Sequence, residues 1–248
     1  MIDKDIYIKK IGRRGHIDIW LVDGTKIRRD LDKEFTNFGH HYFFEFIPEN
    51  EFWIDREHKK GEARYFIDHM LIEYRLISEG KDFECAEERA NRVEIKERAK
   101  SKLVSAVSKE QKNGAEIIDK IHKELLNEYS KNLKIWIING ELVRDLFSVD
   151  FTEGGHDRVY SFIPKNEIWL DDDLEPKERK FVLLHELHER NLMPEGHNLK
   201  MKNGIIKADK NYNKVYTSAH IKASRLEYYC RHHPEQLDKK LKKEIEKS

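Results

Sequence analysis

The chain has 248 residues, with 47 basic side chains, 47 acidic side chains and two cysteines. Balanced charge argues against a protein that binds nucleic acid through an overall basic surface, and two cysteines cannot form a disulfide framework. The hydrophobic fraction of 38% excludes a disordered chain and is sufficient for two domain cores.

No apolar run reaches the length of a membrane span, and the first residues lack the apolar core of a signal peptide. Cys85 and Cys230 lie one in each half of the chain, which fits a reducing compartment. We therefore expect a soluble cytoplasmic protein without a membrane partner, and no feature indicates nucleic acid as a ligand.

Comparison of the chain with itself shows an internal duplication. Residues 19–80 align without a gap on residues 135–196 at a shift of 116, with 22 identities in 62 pairs. After Gly80 the alignment continues at a shift of 133. Two copies predict paired domains rather than a solenoid. The predicted parts are copy one at 1–95, a connector of two helices at 96–131, and copy two at 132–248.

Each copy is predicted to place its strands before its helices, so the expected fold class is α+β. The expected unit is a small antiparallel sheet followed by two packed helices. Asp-Gly at 23–24 and Asn-Gly at 139–140 lie between β-rich runs. Because these dipeptides favour tight turns, they predict hairpins over 17–31 and 133–146.

The rest of copy two follows the same plan. Strands are predicted at about 158–163 and 166–170, and a helix at 176–193. A second helix is expected at 217–232, and Pro234 separates it from a charged terminal helix.

The most informative stretch is residues 181–190, where metal-binding side chains interrupt an apolar helical run. At about 100° per residue, His185, His188 and Glu189 fall in the middle of one apolar face. Buried polar groups need partners, and a metal ion would satisfy an imidazole and a carboxylate one turn apart. Glu186, about 100° round the helix from His185, is placed to activate water as a general base.

The segment His185-Glu186-Leu-His-Glu189 resembles the HExxH helix of the zincin metallopeptidases. Glu189 stands where the second histidine of that motif belongs. The resemblance implies a zinc-dependent peptidase, although a glutamate ligand also favours manganese or iron(II). In the glutamate-zincin branch the next helix supplies the third ligand, which would be His220 or Glu227.

Two further expectations concern the substrate. The resemblance implies that strand 166–170 lies along the site and receives an extended substrate as an added strand. Copy two also has about 17 extra residues between its two main helices, and Asn-Gly at 203–204 predicts a hairpin over 199–207. An insertion confined to this copy suggests a lid or a substrate edge, with an idle loop as the alternative.

The duplication supplies an internal control for the site. His69 and Glu73 of copy one align with His185 and Glu189. Three polar residues of copy two have no such match: Glu186 aligns with Met70, His188 with Ile72 and His220 with Glu87. We therefore predict that metal binds in copy two only, or more tightly there.

Two orientations of the helix at 217–232 remain open. If its His220 face is turned to the motif, a site of His185, Glu189 and His220 is reachable, with His188 or Glu227 near. If Arg225 faces the motif instead, Glu189–Arg225 and its counterpart Glu73–Arg92 become structural ion pairs.

The sequence thus favours a metal-dependent, peptidase-like hydrolase that acts on a peptide or protein. Glu186 is the expected base, and the candidate metal ligands are His185, His188, Glu189, His220 and Glu227. The alternative is a non-enzymatic binding or scaffold protein whose histidines and glutamates pair with one another or hold a structural metal.

Overall fold

The computed structural model describes residues 4–111, 116–195, 200–202, 205–207 and 210–248. The chain divides into two compact units, Met1–Ser101 and Lys102–Ser248. Among the described residues, no helix combines the length and the apolar character needed to cross a membrane.

The first unit contains a four-stranded sheet and three helices in its described part. In chain order its elements are β1 (Tyr7–Arg14), β2 (Ile17–Val22), α1 (Gly24–Asp30), β3 (Phe38–His40), β4 (Glu51–Asp55), α2 (Ala63–Ser78) and α3 (Phe83–Arg98).

The second unit repeats this plan and adds elements at its start, within its insertion and at its end. Its elements are α4 (Lys102–Gln111), α5 (Ile117–Ile121), β5 (His122–Leu125), β6 (Lys134–Ile138), α6 (Gly140–Leu146), β7 (Gly154–His156), β8 (Glu167–Asp171), α7 (Pro176–Leu192), β9 (Lys200–Lys202), β10 (Ile205–Lys207), α8 (Lys210–His232) and α9 (Leu237–Ile245).

The two sheets have the same strand order, which confirms the α+β duplication. The order is β1-β2-β4-β3 in the first unit and β5-β6-β8-β7 in the second. Their registers also agree, since Trp20 pairs with Trp53 and Trp136 pairs with Trp169. The aligned identities therefore fall on equivalent positions of one topology.

The sheets are mixed rather than wholly antiparallel as predicted. β2 and β4 run parallel, as do β6 and β8, whereas the outer pairs are antiparallel. Parallel neighbours need a crossover connection. Here α1 and β3 lie between β2 and β4 along the chain, and α6 and β7 lie between β6 and β8.

The predicted hairpins at 23–24 and 139–140 are wrong, because a helix begins at each glycine. The side chains of Asp23 and Asn139 accept hydrogen bonds from backbone N–H groups in the first turns of α1 and α6, as helix N-caps do. Both glycines have ordinary negative φ. Glycine is required there because an added Cβ would lie 1.8 Å from Asp55 Oδ2 at Gly24 and 1.9 Å from Asp171 Oδ2 at Gly140.

The predicted strand at 158–163 is also wrong, although the strand predicted at 166–170 is confirmed as β8. The N–H groups of Val159 and Tyr160 both donate to the His156 carbonyl, so this segment forms turns. The Tyr160 ring folds back against Gly155, where an added Cβ would lie 2.6 Å from the ring. The short strand β7, rather than this segment, forms the edge of the sheet beside β8.

The segment predicted as a helical connector contains α4 and α5 and also the unpredicted strand β5. β5 pairs with β6 as an edge strand and is only four residues long. Its sequence, His-Lys-Glu-Leu, has no apolar alternation, so periodicity gave no strand signal.

The remaining helices agree with the prediction in outline. α7 spans Pro176–Leu192, and α8 ends at His232 but begins earlier than expected, at Lys210. The insertion contains the antiparallel pair β9 and β10, and its predicted Asn-Gly turn lies outside the described residues.

Each sheet is covered on both faces by apolar side chains. In the second unit, one face of β6 and β8 packs against α7, α8 and α9, including Leu184, Leu187 and Leu241. The other face packs against α4, α5 and α6, with Trp169 at its centre. This burial fixes α7 and α8 relative to the sheet edge β7.

We expect Gly140→Ala to lower the free energy of unfolding of the second unit by about 2–4 kcal/mol, the range of severe core changes. The added methyl group would displace Asp171, whose Oδ2 accepts from buried Arg144 at 2.5 Å. Helix propensity alone predicts the opposite sign, about 1 kcal/mol of stabilisation. Urea unfolding measures the difference. Gly12→Ala is the control, since its Cβ would meet only Ile19 Cδ1 at 3.7 Å. A stable Gly140→Ala protein would contradict the close-packing explanation.

Candidate metal centre

The site lies between α7 and α8, which pack closely because small residues line their contact. Ala219 and Ala223 of α8 are buried, 2% and 0% exposed. Large side chains at these positions would hold the helices apart. Polar side chains of the two helices therefore meet next to strand β7.

His185 and Glu189 of α7 and His220 of α8 form what we call the metal cluster. His185 Nε2 lies 3.2 Å from His220 Nδ1 and 3.5 Å from Glu189 Oε2. His220 Nδ1 lies 2.9 Å from the same Oε2. Three potential ligand atoms thus point at one another.

These distances suit a tetrahedral cation. Ligand atoms about 2.0–2.2 Å from zinc in a tetrahedron lie about 3.3–3.6 Å from one another, so shifts of a few tenths of an ångström would complete the geometry. The Glu189 side chain is 4% exposed and that of His185 is 12% exposed, whereas His220 is 31% exposed. The cluster is therefore accessible from the His220 side, as a site that admits a substrate must be.

A chain of buried contacts that begins at Nδ1 orients the His185 ring. Its Nδ1 lies 2.9 Å from Glu227 Oε2. Glu227 accepts from Arg231 Nε at 2.9 Å, and Arg231 Nη1 lies 2.8 Å from Glu178. A carboxylate on the second nitrogen of a metal-binding imidazole fixes its tautomer and orientation, so Glu227 belongs in a supporting position.

Glu189 is held through its other oxygen by His156 of β7. His156 Nε2 lies 3.0 Å from Glu189 Oε1, and His156 Nδ1 accepts from the Arg158 backbone N–H at 3.2 Å. Because Nδ1 is an acceptor, Nε2 carries the proton and donates to Glu189. His156 therefore positions the glutamate.

The first unit contains the same network without the third imidazole. His69 lies 3.2 Å from Glu73 through Nε2 and 2.7 Å from Glu94 through Nδ1. The complete correspondence is His40 with His156, Glu73 with Glu189, His69 with His185, Glu94 with Glu227, Arg98 with Arg231 and Glu62 with Glu178. Within the described residues, His69 belongs to no group of three potential ligands.

The two networks differ beside the histidine that they share on α2 and α7. In the first unit Phe38 stacks on Phe66 at 4.8 Å and touches the His69 ring at 5.2 Å between centroids. Gly154 occupies the Phe38 position in the second unit, where an added Cβ would lie 2.9 Å from Val182 Cγ1, 3.2 Å from the Trp169 carbonyl oxygen and 3.3 Å from Glu186 Cγ. Loss of the aromatic cover thus coincides with the appearance of a carboxylate.

Glu186 belongs to a second group of potential ligands, with His156 and Glu189, whose atoms lie within 4.8 Å of one another. Burial raises the pKa of Glu186 to about 7, and the charge of Glu189 adds to this effect. Nearby histidines lower it and keep it from rising further. A carboxyl that titrates near neutrality suits general-base catalysis.

The side chains of the metal cluster carry charge and pair with one another. Burial opposes protonation of His185, but hydrogen bonds to Glu189 and Glu227 and nearby negative charge raise its pKa well above the usual range. Burial likewise opposes ionisation of Glu189, yet its contacts with His156, His185 and His220 hold its pKa well below the usual range. A metal would have to displace the imidazole proton, so metal affinity should rise with pH.

Comparisons with protein-family models, curated proteins and solved structures give no match to this chain. The chemistry of the site is therefore argued from its geometry and from the internal duplication.

The structure brings together some of the predicted site residues and separates others. His185, Glu189 and His220 meet, and Glu186 lies beside them. His188 points to α9 instead, where its Nδ1 lies 3.3 Å from Glu244 Oε1. His188 stands next to Glu189 in sequence, and the helical turn directs it away from α8.

The alternative ion pairs through Arg225 and Arg92 do not form. Arg225 is exposed, and Arg92 pairs with Glu88 on the helix surface at 2.6 Å. The His220 face of α8 is the one turned to α7. The expected role of strand 166–170 is also wrong, because β8 is paired on both edges and cannot receive an added strand.

Sequence reasoning missed the arginines that complete the networks. Arg231 and Arg98 align at the shift of 133, four residues beyond Glu227 and Glu94. Their partners Glu178 and Glu62 are among the 22 identities. A systematic extension of the second alignment would have found both pairs.

We expect His69→Gln to destabilise the first unit strongly near pH 6 and weakly above pH 10. Burial opposes protonation of His69, but hydrogen bonds to Glu73 and Glu94 raise its pKa to about 10 from 6.5. A raised pKa stabilises the folded state fully below about pH 6.5, and this contribution is lost as the pH rises through about 10.

Urea-dependent oxidation of Met70 by peroxide, read by mass spectrometry, measures this effect. Met70 is fully buried in the first unit, and Met193 is the internal control in the second. A difference between wild type and His69→Gln that does not shrink with rising pH would contradict the charged pairing.

We expect about one tightly bound zinc per chain in protein purified without a nickel column. His220→Ala should weaken binding at least about 100-fold, because it removes a ligand rather than a supporting group. His69→Ala is the matched control and should leave zinc content unchanged. Equilibrium dialysis with metal analysis measures both, and equal loss in the two variants would remove the case for a specialised second unit.

Proposed function

We propose that the protein is a metal-dependent hydrolase whose active site is the metal cluster with Glu186. A peptide bond is the proposed substrate linkage, on the basis of the zincin resemblance, and zinc is the proposed metal, with manganese or iron(II) as alternatives. The proposal places the protein in the cytosol, where Cys85 and Cys230, both free, would stay reduced.

The single observation that supports this function best is the difference between the two units. Both contain the buried His–Glu–Arg network, so that network serves the fold. Only the second unit adds a third imidazole, an adjoining carboxylate and a glycine in place of the covering aromatic ring. These three changes surround His185 and Glu189, and they add a partly exposed imidazole and a second carboxylate to a buried network.

His185, Glu189 and His220 would hold the metal, with Glu227 and His156 orienting the first two. When bound, the metal would supply Lewis acidity toward a carbonyl and lower the pKa of water. Glu189 Oε2 points into the metal cluster, while Glu189 Oε1 accepts from His156. Metal binding would therefore leave the carboxylate in place.

Glu186 would take the proton from the attacking water and pass it to the leaving group. It is only 9% exposed and lies beside the cluster without joining it. The same burial that raises its pKa strengthens it as a proton acceptor once it is ionised. Burial raises the pKa of Tyr160, so its hydroxyl stays protonated. The side chain near the Glu186 carboxylate is therefore neutral.

A second candidate is a non-enzymatic protein in which the cluster is purely structural. The observation that favours it is the first unit, which satisfies the same His and Glu side chains with no third imidazole. Under this alternative, loss of His220 or Glu186 would act on stability alone and would change no reaction rate.

We expect Glu186→Gln to lower hydrolytic activity by about 100- to 10,000-fold, the usual contribution of a general base, with zinc content unchanged. Glutamine keeps the shape of the side chain and removes the basic oxygen. A panel of fluorogenic peptides, esters and phosphates measures activity, and metal analysis accompanies each assay. His220→Ala provides the contrast, since it should lose metal and activity together. Full activity in Glu186→Gln would exclude it as the base.

We expect kcat/KM to fall on the acid side with an apparent pKa at or below about 7. The metal-free pKa of Glu186 is about 7, and a bound cation lowers the pKa of a neighbouring carboxyl. The base acts only when ionised, so activity is retained above this pKa and lost below it. A pH–rate profile of the zinc-loaded protein measures this fall in kcat/KM. Activity that rises toward low pH would contradict the role of Glu186 as the base.

A further inference from the structure

A cavity of about 540 Å³ lies in the second unit, and its lining includes Asp157 and Arg190, the sequence neighbours of His156 and Glu189. The charged and hydroxyl side chains along it are Asp157, Arg158, Ser161, Lys165, Arg190 and Glu195. It adjoins the cluster through one imidazole, because the Arg158 backbone N–H donates to His156, which in turn holds Glu189.

The ion pairs along this cavity differ in length. Arg190 is neutralised by Asp157, with contacts of 2.6 Å and 3.1 Å, and is also bonded to Asn166. The Arg158 and Lys165 head groups both face the carboxylate of Glu195. Glu195 lies 3.8 Å from Arg158 Nη2 and 4.0 Å from Lys165 Nζ, longer than charge-assisted hydrogen bonds.

Arg158 is held in place for binding rather than left to solvent. Its Nη1 donates to the carbonyls of Arg190, at 2.8 Å, and Met193 at the end of α7. Its side chain is 16% exposed, while Lys165 is 76% and Glu195 72% exposed. Burial lowers the pKa of Arg158 and the charge of Arg190 adds to this effect, whereas Asp157 and Glu195 oppose it.

The first unit has neither of these two cations in the equivalent place. Tyr42, Glu49 and Tyr74 align with Arg158, Lys165 and Arg190, whereas the acidic residue at 195 is shared as Glu79. The two tyrosine rings pack together there, 5.0 Å apart. The paired cations therefore appear only in the unit that has the full metal cluster.

We propose that Arg158 and Lys165 form a subsite for an oxyanion, a carboxylate or phosphate group of the substrate, which displaces Glu195. Glu195 occupies the subsite weakly because it is exposed and beyond hydrogen-bond distance of both cations. Assignment of the oxyanion to a substrate rests on the proposed hydrolytic function, whereas oxyanion binding itself does not.

The test uses NMR spectra of the full-length, metal-free, ¹⁵N-labelled protein at constant ionic strength. Inorganic phosphate and N-acetylglycine, a mimic of a peptide C-terminus, are titrated separately. We expect saturable shifts centred on Arg158 and Lys165, and the tighter of the two probes identifies the chemical source of the oxyanion. Hydrolysis plays no part in this measurement. Absence of oxyanion binding and absence of the proposed hydrolytic activity are therefore distinguishable.

Variants supply the decisive comparison. Lys165→Glu introduces the residue of the first unit at an exposed position. It should weaken binding at least about tenfold, because the negative charge of glutamate repels an anionic ligand. Arg158→Gln should do the same, and Glu195→Gln should tighten binding by removing the competing carboxylate. Lys239→Gln on α9 is the control for non-specific charge effects and should change nothing. Absent saturation, or equal affinity in Lys165→Glu and wild type, would overturn the proposal.

Discussion

The buried contact between a histidine and a glutamate one helical turn apart is the constraint on which each unit depends. His69 with Glu73, and His185 with Glu189, place charge inside an apolar helix face, and unpaired charge there would be strongly destabilising. The partners arrive from different elements, a histidine from the sheet edge and a glutamate from the following helix. The network thus ties sheet and helices into one arrangement and explains why both copies retain it.

The second unit adds a candidate metal site to this buried network with few changes. A histidine on α8 turns a satisfied pair into three converging ligand atoms, and Gly154 clears space for Glu186. The neighbouring cavity changes in the same copy, from paired tyrosines to Arg158 and Lys165. The features that differ between copies therefore lie in the metal cluster, at the adjoining Glu186 and along this cavity.

The sequence alone predicted the duplication and the fold class, because repeat identity and helical spacing determine both. It gave the meeting of His185, Glu189 and His220 as one of two possible orientations of α8. It failed where a residue serves a distant contact. Gly24 and Gly140 read as turn residues, yet they make room for a carboxylate some thirty positions later. The Arg231–Glu178 contact and the turn at 158–163 likewise depend on tertiary packing that local propensity does not encode.

Anomalous diffraction at the zinc edge, from crystals grown with one equivalent of zinc, tests the central claim most directly. A specialised second unit predicts a single strong peak within bonding distance of His185 Nε2, Glu189 Oε2 and His220 Nδ1, and none near His69. A peak of equal height in the first unit, or none in the second, would show that the added imidazole does not create a metal site.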